Sequence, residues 1–243
     1  MKRLIVILIM LAGTVAAQDS KITRKDIVDT MEDADSFGKT VNFLGVLRGG
    51  SVILDQTCVF TPEDQVQPED RCEKILDTSA LLVYDERNLG SITLPGNTFK
   101  TNMYMIPSHF INYEFFNDTG VQVNNARFGY TPYITIESPA LNDPRAVDPI
   151  TNAPLAGKLD INLSAARNIT RSLAIGEFVN DGFTYSRAFI AGITKPGLVG
   201  MGVPLDVSDK MFRQPMTIRM NIRGRVRHID FAQVFYAIRI MGN

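Results

Sequence analysis

Met216-Thr217-Ile218-Arg219-Met220-Asn221-Ile222-Arg223 alternates apolar and polar side chains without a slip. A period of two places Met216, Ile218, Met220 and Ile222 on one side of an extended chain and Thr217, Arg219, Asn221 and Arg223 on the other. This is a half-buried β-strand with one wet face. Gly224 follows and marks a bend or bulge. If the register survives it, Arg225 and Arg227 join the wet face. Downstream, Phe231–Ile240 is apolar at successive positions and reads as a central strand, covered on both faces.

The same texture extends back towards residue 37. Lys39–Leu47 and Ser51–Phe60 are β-rich and joined by Arg48-Gly49-Gly50, a hairpin signal. Ala80–Tyr84, Ser91–Leu94, Phe99–Ile106, Phe110–Phe116 and Phe128–Glu137 follow. Asp85-Glu86-Arg87-Asn88, Pro95-Gly96-Asn97 and Asn117-Asp118-Thr119-Gly120 separate them as turns. Leu159–Leu163, Leu173–Val179 and Phe183–Ile193 complete the set, with Asn180-Asp181-Gly182 as a hairpin turn between the last two. Short strands at this spacing, with no helical period between them, predict an all-β fold, a β-sandwich or jelly-roll-like architecture. Pro139, Pro144, Pro149 and Pro154 break the rhythm with a long Pro-rich loop. We expect one sandwich over residues 37–243; the alternative is two small β domains, 37–138 and 158–243, with 139–157 as their linker.

Residues 1–17 have the order of a secretory signal peptide: Lys2 and Arg3, an apolar run from Leu4, then small residues to Ala17. The run is far shorter than the roughly 20 residues of a spanning helix. Thr14 stands where a lipoprotein would have its acceptor cysteine. The expectation is an exported protein, periplasmic, on the cell surface or secreted, with no transmembrane span in the mature chain. Residues 18–36 form a short N-terminal helix or arm, with Thr23 and Asp26 as a capping pair and Ile27, Val28 and Met31 as its apolar stripe. In an oxidising compartment Cys58 and Cys72, the two cysteines of the chain, should form a disulfide. It closes a loop of about 15 residues, worth about 3 kcal/mol on chain entropy. Sequons at Asn117, Asn162 and Asn168 would matter in a glycosylating host.

With 25 basic and 26 acidic residues the chain has no global field to attract nucleic acid. Its 45% hydrophobic content excludes wholesale disorder. Ser108 and the two histidines, His109 and His228, lack the sequence context of a nucleophile or a metal site. Gly38-Lys39-Thr40 lacks the leading glycine of a phosphate loop. Glu63, Asp64, Glu69 and Asp70, inside the cysteine loop, lack the spacing and glycine of a calcium loop. No catalytic residue, cofactor or metal is assigned.

Two readings of function remain. The first is an exported, non-enzymatic β-sandwich with a structural, adhesive or envelope-assembly role, whose partner is another protein or further copies of itself. Arg219, Arg223, Arg225 and Arg227 would then contact a partner or an anionic glycan or glycolipid, because grouped guanidiniums grip phosphate, sulfate and carboxylate. The alternative is a secreted polysaccharide-acting enzyme with paired carboxylates drawn from Glu114, Glu137 and Glu177. Tyr104, Tyr113, Tyr130, Tyr133 and Tyr185 would be its sugar platform. An outer-membrane barrel fits poorly with the cysteine loop and the proline-rich break.

Overall fold

The computed structural model describes residues 42–64, 66–98, 100, 102–164, 166–186 and 193–242. The expected leader, the N-terminal helix or arm and Gly38-Lys39-Thr40 lie outside the described residues. Twelve strands follow in order: β1 (Asn42–Arg48), β2 (Val52–Asp55), β3 (Arg71–Lys74), β4 (Leu82–Leu94), β5 (Asn102–Phe116), β6 (Val123–Glu137), β7 (Lys158–Asn162), β8 (Arg167–Leu173), β9 (Phe178–Ser186), β10 (Ile193–Thr194), β11 (Met216–Arg227) and β12 (Ile229–Gly242). Two short helices, α1 (Lys195–Gly200) and α2 (Leu205–Arg213), precede β11.

The strands form the expected β-sandwich. In the seven-stranded sheet β12 lies between β5 and the successive strands β1 and β2; β3 pairs with β2, and β9 and β10 pair with β5. In the five-stranded sheet β11 lies between β4 and β6, and β7 and β8 share the far side of β6. The dry side of β11 is as expected: Met216, Ile218, Met220 and Ile222 are all buried against the other sheet, whereas Asn221, expected on the wet face, is buried too, because its side chain is bonded to Asn88 and Thr135 within the sheet. Opposite them β12 supplies Ala232, Val234, Ile238 and Ile240.

Several turn signals are used differently. Arg48-Gly49-Gly50 is no hairpin, because β1 and β2 run one after the other along the same side of β12. Arg48 stands opposite Ala237 and Val52 opposite Val234, so three residues face two in a bulge. The glycines are there for close approach: Gly50 N–H donates to Leu89 O at 2.7 Å, and a Cβ on Gly50 would lie 2.0 Å from Glu69 O. Asp85-Glu86-Arg87-Asn88 is likewise a bulge inside β4, with Asn88 at φ 60° and Asn221 facing the displaced residues. Asn180-Asp181-Gly182 runs straight through β9, paired with Glu114, Tyr113 and Asn112. Nor does Gly224 bend β11, which stays in register with β6 from Thr217 to Arg227. A side chain at 224 would lie 2.5 Å from the Tyr84 hydroxyl, so glycine makes room for that ring. The helices between Thr194 and Gln214 were not foreseen. Thr194 caps α1 through Gly197 N–H, and Val207, Met211 and Phe212 give α2 its buried stripe.

The Pro-rich loop joins β6 to β7, which pair as neighbours from Glu137–Lys158 to Tyr133–Asn162. Ser138 caps a turn of 3-10 helix at Pro139–Asn142, Val147 bridges Pro154, and Val147 N–H donates to Gly202 O at 3.1 Å. Both sheets draw strands from before and after this loop.

Three of the connections that cross from sheet to sheet at one end are β5 to β6, β8 to β9, and β11 to β12 at His228, whose φ is 53°. Asn117, fully buried, locks the first two. Its Nδ2 lies within hydrogen-bond distance of Val121 O (2.7 Å), Ala174 O (2.9 Å) and Leu173 O (3.2 Å). Phe116 N–H donates to His228 O at 3.4 Å and brings in the third.

The Cys58–Cys72 disulfide is formed, with Cα atoms 5.9 Å apart, and staples the loop between the parallel strands β2 and β3. Replacing both cysteines by serine should cost about 3 kcal/mol in urea unfolding and leave the circular dichroism spectrum of a β-protein. Asn117→Ala removes the shared donor of two crossings, so it should also cost about 3 kcal/mol, at roughly 1 kcal/mol for each carbonyl left without it. Peptide mapping should find no glycan on the folded protein at Asn117, since its amide nitrogen is committed inside.

Candidate functional site

The outer face of the five-stranded sheet carries the predicted arginines, all on one side of β11. The structure gives three of them internal partners. Arg219 Nε lies 2.9 Å from Glu137 Oε2, and Lys158 meets the other oxygen of that carboxylate at 3.2 Å. Burial pushes Glu137 upward, but the hydrogen bonds from Arg219 and Lys158 outweigh it and hold the carboxyl below its usual range. Arg223 donates to Asn162 Oδ1 at 2.9 Å and lies over the Tyr133 ring, 5.0 Å from its centroid. Arg227 Nε donates to Ser79 O at 2.7 Å. The Arg225 side chain is exposed and makes no hydrogen bond or ion pair with a described residue.

A hydrogen-bonded chain runs beneath these side chains and through the sheet. In the core, the Tyr236 hydroxyl of β12 accepts from Asn221 N–H at 3.0 Å and sits 2.8 Å from Tyr133 O. The Asn221 side chain accepts from Asn88 N–H at 3.0 Å and donates to Thr135 Oγ1 at 2.9 Å. Thr135 in turn donates to Asp160, whose other oxygen lies 3.4 Å from Arg87. Arg87 also meets Asp85 at 3.3 Å, and Asp85 accepts from the Tyr133 hydroxyl. Burial first, and then the bond to Asp85, raise the Tyr133 phenol well above its ordinary value. Tyr133, Asp85, Arg87 and Asp160 carried no sequence motif; they meet only because four strands align in register.

The other predicted residues are dispersed. Ser108 and His109 are neighbours on β5 and point to opposite faces of the sheet; His109 lies in the core between Tyr130 and Tyr236, with Nδ1 3.1 Å from the Tyr130 hydroxyl. His228 is buried at the β11–β12 crossing, remote in register from His109. Glu177 accepts from Ala174 N–H at 2.7 Å as a turn cap, and Glu137 is on the sheet opposite to Glu114. In the cysteine loop, Asp64 accepts from Thr61, and Asp70 accepts from Ser51 and Gln67. Tyr113 and Tyr130 are buried in the sandwich, and Tyr133 is buried on the outer face of the five-stranded sheet beneath Arg87 and Arg223, so they offer no exposed platform.

Glu114 lines a cleft. Asp55, Asp64, Glu114 and Asp230, with Phe60 and Phe231, surround an open volume of about 540 Å³ where the cysteine loop overhangs β2, β12 and β5. Burial pushes the Asp55 carboxyl upward, but hydrogen bonds from Thr57 and Cys58 outweigh it and hold it below the usual range. Asn180 Nδ2 donates to Glu114 at 2.8 Å. Outside the cleft, burial and then the neighbouring Glu73 carboxyl push Glu86 up to about 7.

No protein-family model and no curated protein matches the sequence. Among solved structures, infectious bursal disease virus of the Gx strain matches 68% of this chain and 31% of that chain at 10% identity, with a TM-score of 0.22. A mutant VP2 protein of infectious bursal disease virus, in derived T=1 particles, matches 84% and 32% at 7% identity, with a TM-score of 0.24. The chain spans less than a third of the length of either. Likeness at this level carries no inference for this chain.

His109 makes the core sensitive to acid. Burial, and secondarily the charge of Arg167, lower its pKa from 6.5 to about 4. The unfolded chain therefore takes up a proton that the folded one refuses. Stability should be full above pH 6.5 and fall by about 3 kcal/mol as the pH drops to about 4. His228, also held low by burial, adds in the same direction. Urea midpoints measured across this window should show the slope, and His109→Gln should flatten it.

Proposed function

We propose that this chain is an exported, non-enzymatic β-sandwich protein with a structural, adhesive or envelope-assembly role, acting through another protein or through copies of itself. The observation that carries this reading is the edge formed by β4. Among the described residues β4 is the outermost strand of its sheet; the bulge at Gly49-Gly50 covers it at Leu89 and Gly90, and before that stretch Val83 is 69% exposed and Leu81, just ahead of the strand, 53%. An edge strand offers unpaired backbone groups to a further strand, and exposed β-branched side chains there favour pairing. The disulfide supports export. Among the described residues no helix is long and apolar enough to cross a membrane.

The cleft lined by Glu114 favours a second reading, a polysaccharide-acting enzyme. General acid catalysis by a carboxyl pair needs one member with its pKa raised. Asp55, the cleft carboxyl with a resolved shift, is moved the other way.

Sedimentation velocity over a range of protein concentrations tests the assembly reading. Association that strengthens with concentration is expected, and Val83→Lys, which places a charge on the exposed edge, should weaken it by about tenfold, or 1.4 kcal/mol. A species that stays monomeric up to its solubility limit and captures no strand-forming partner peptide overturns it.

A further inference from the structure

The two outer faces of the sandwich differ in character. That of the five-stranded sheet carries the arginines of β11. On β12, in the other sheet, Tyr236, Ile238 and Ile240 point into the core between the sheets, so the alternate residues Phe235, Ala237, Arg239 and Met241 point outward. Register sets Phe110, Ile106 and Tyr104 of β5 beside them on one flank, and Val46 and Phe43 of β1 on the other. This stretch is apolar across three strands. Its charged members are Arg239 and, opposite Ala237, Arg48.

An outer face open to water keeps much of its side-chain surface wet. Here Phe235, Ala237 and Met241 are at most 1% exposed and Arg239 is 6% exposed. Among the described residues, the hydrophobic side chains packed on Phe235 and Ala237 are Val46 and Phe110, their neighbours in the same sheet. Such neighbours shield the flanks of a side chain and leave its outer end for another element to cover. The cysteine loop overhangs this face further along, at Phe231 and Glu114, and α2 packs on the 3-10 turn of the Pro-rich loop. The chain that precedes β1 is placed to cover the rest. It enters the sheet at Asn42, opposite Gly242 and so beside Met241.

We propose that residues 18–41 fold back over the outer face of the seven-stranded sheet of their own chain, with Ile27, Val28 and Met31 seated on Phe235, Ala237 and Met241, and with Glu32, Asp33 and Asp35 meeting Arg239 and Arg48. The stretch from Phe235 to Met241 is about 20 Å long at about 3.3 Å per residue, and the segment is long enough to cross it as an extended chain or as a helix with a connector. Its chemistry is complementary in both respects: an apolar stripe for the apolar surface, and an acidic run for the two arginines. A guanidinium taken out of water is costly unless a counter-charge meets it, and the acidic run supplies that charge. The cover closes this face to other molecules, and it stands independently of the reading built on the β4 edge.

Hydroxyl-radical oxidation of the intact protein, read by peptide mass spectrometry, tests the cover at Met241. Oxidation there should be slow. In the double variant Ile27→Asp with Met31→Asp every residue of the sandwich is retained, so the circular dichroism spectrum should be unchanged while oxidation of Met241 rises about tenfold as the docked population falls. Replacing Glu32, Asp33 and Asp35 by their amides should raise it by a smaller factor. Val83→Lys, the variant that tests association through β4, should leave it unaltered, which separates the two results. Protection that is the same at every protein concentration places the segment on its own chain; protection that grows with concentration means that a second copy covers the face, and overturns the proposal. Rapid oxidation of Met241 in the unaltered protein, or slow oxidation that persists in the double variant, overturns it as well.

Discussion

The carboxamide of Asn117 holds the sandwich at the end where its sheets exchange strands. A chain that leaves one sheet for the other exposes backbone groups that no ladder satisfies, and when the crossing is buried those groups need a partner inside. Asn117 meets that need for two crossings at once: its nitrogen faces carbonyls of Val121, Leu173 and Ala174, its oxygen accepts from Thr119, and its own backbone pairs with Glu177 and Gly176. With the crossings fixed, β5 and β12 pair over nearly their whole lengths, and β6 and β11 do the same in the facing sheet. These are the frames on which the shorter strands assemble.

Glycine does the corresponding work along the β1–β4 side. The bulge at Gly49-Gly50 and the bulge at Arg87-Asn88-Leu89 meet backbone to backbone, and a Cβ on Gly90 would lie 2.3 Å from Arg48 O. Contact this close is open only to residues without side chains. It lets one edge of each sheet touch directly, while the disulfide loop closes over β2 and β3. The displaced Asn88 also provides the N–H that Asn221 needs, so the bulge and the buried polar chain from Tyr236 to Arg87 depend on each other.

The arginine face shows how one sequence feature divides into two physical roles. Arg219 and Arg223 are used internally, one in an ion pair and one stacked on Tyr133, where they cover polar groups of the sheet and fix its register. Arg225 and Arg227 stand where β6 offers glycine and a further arginine. Side chains equivalent in periodicity are thus unequal in electrostatics, and the neighbouring strand alone makes the difference.

The sequence by itself determined the fold class, which side of β11 faces the core, the central place of β12 and the Cys58–Cys72 pairing. Each follows from local periodicity or from there being a single pairing for two cysteines. It did not determine what its punctuation meant. Gly49-Gly50, Asn180-Asp181-Gly182 and Asp85–Asn88 have the composition of turns, yet two serve as bulges and one lies in mid-strand, because cross-strand pairing outweighs turn preference once a partner strand is in place. Nor did it group Tyr133, Asp85, Asp160 and Asn221, or set Arg127 against Arg227. Those contacts join residues far apart in the chain, and strand register, a property of the assembled sheets, alone decides which side chains share a face and stand opposite one another.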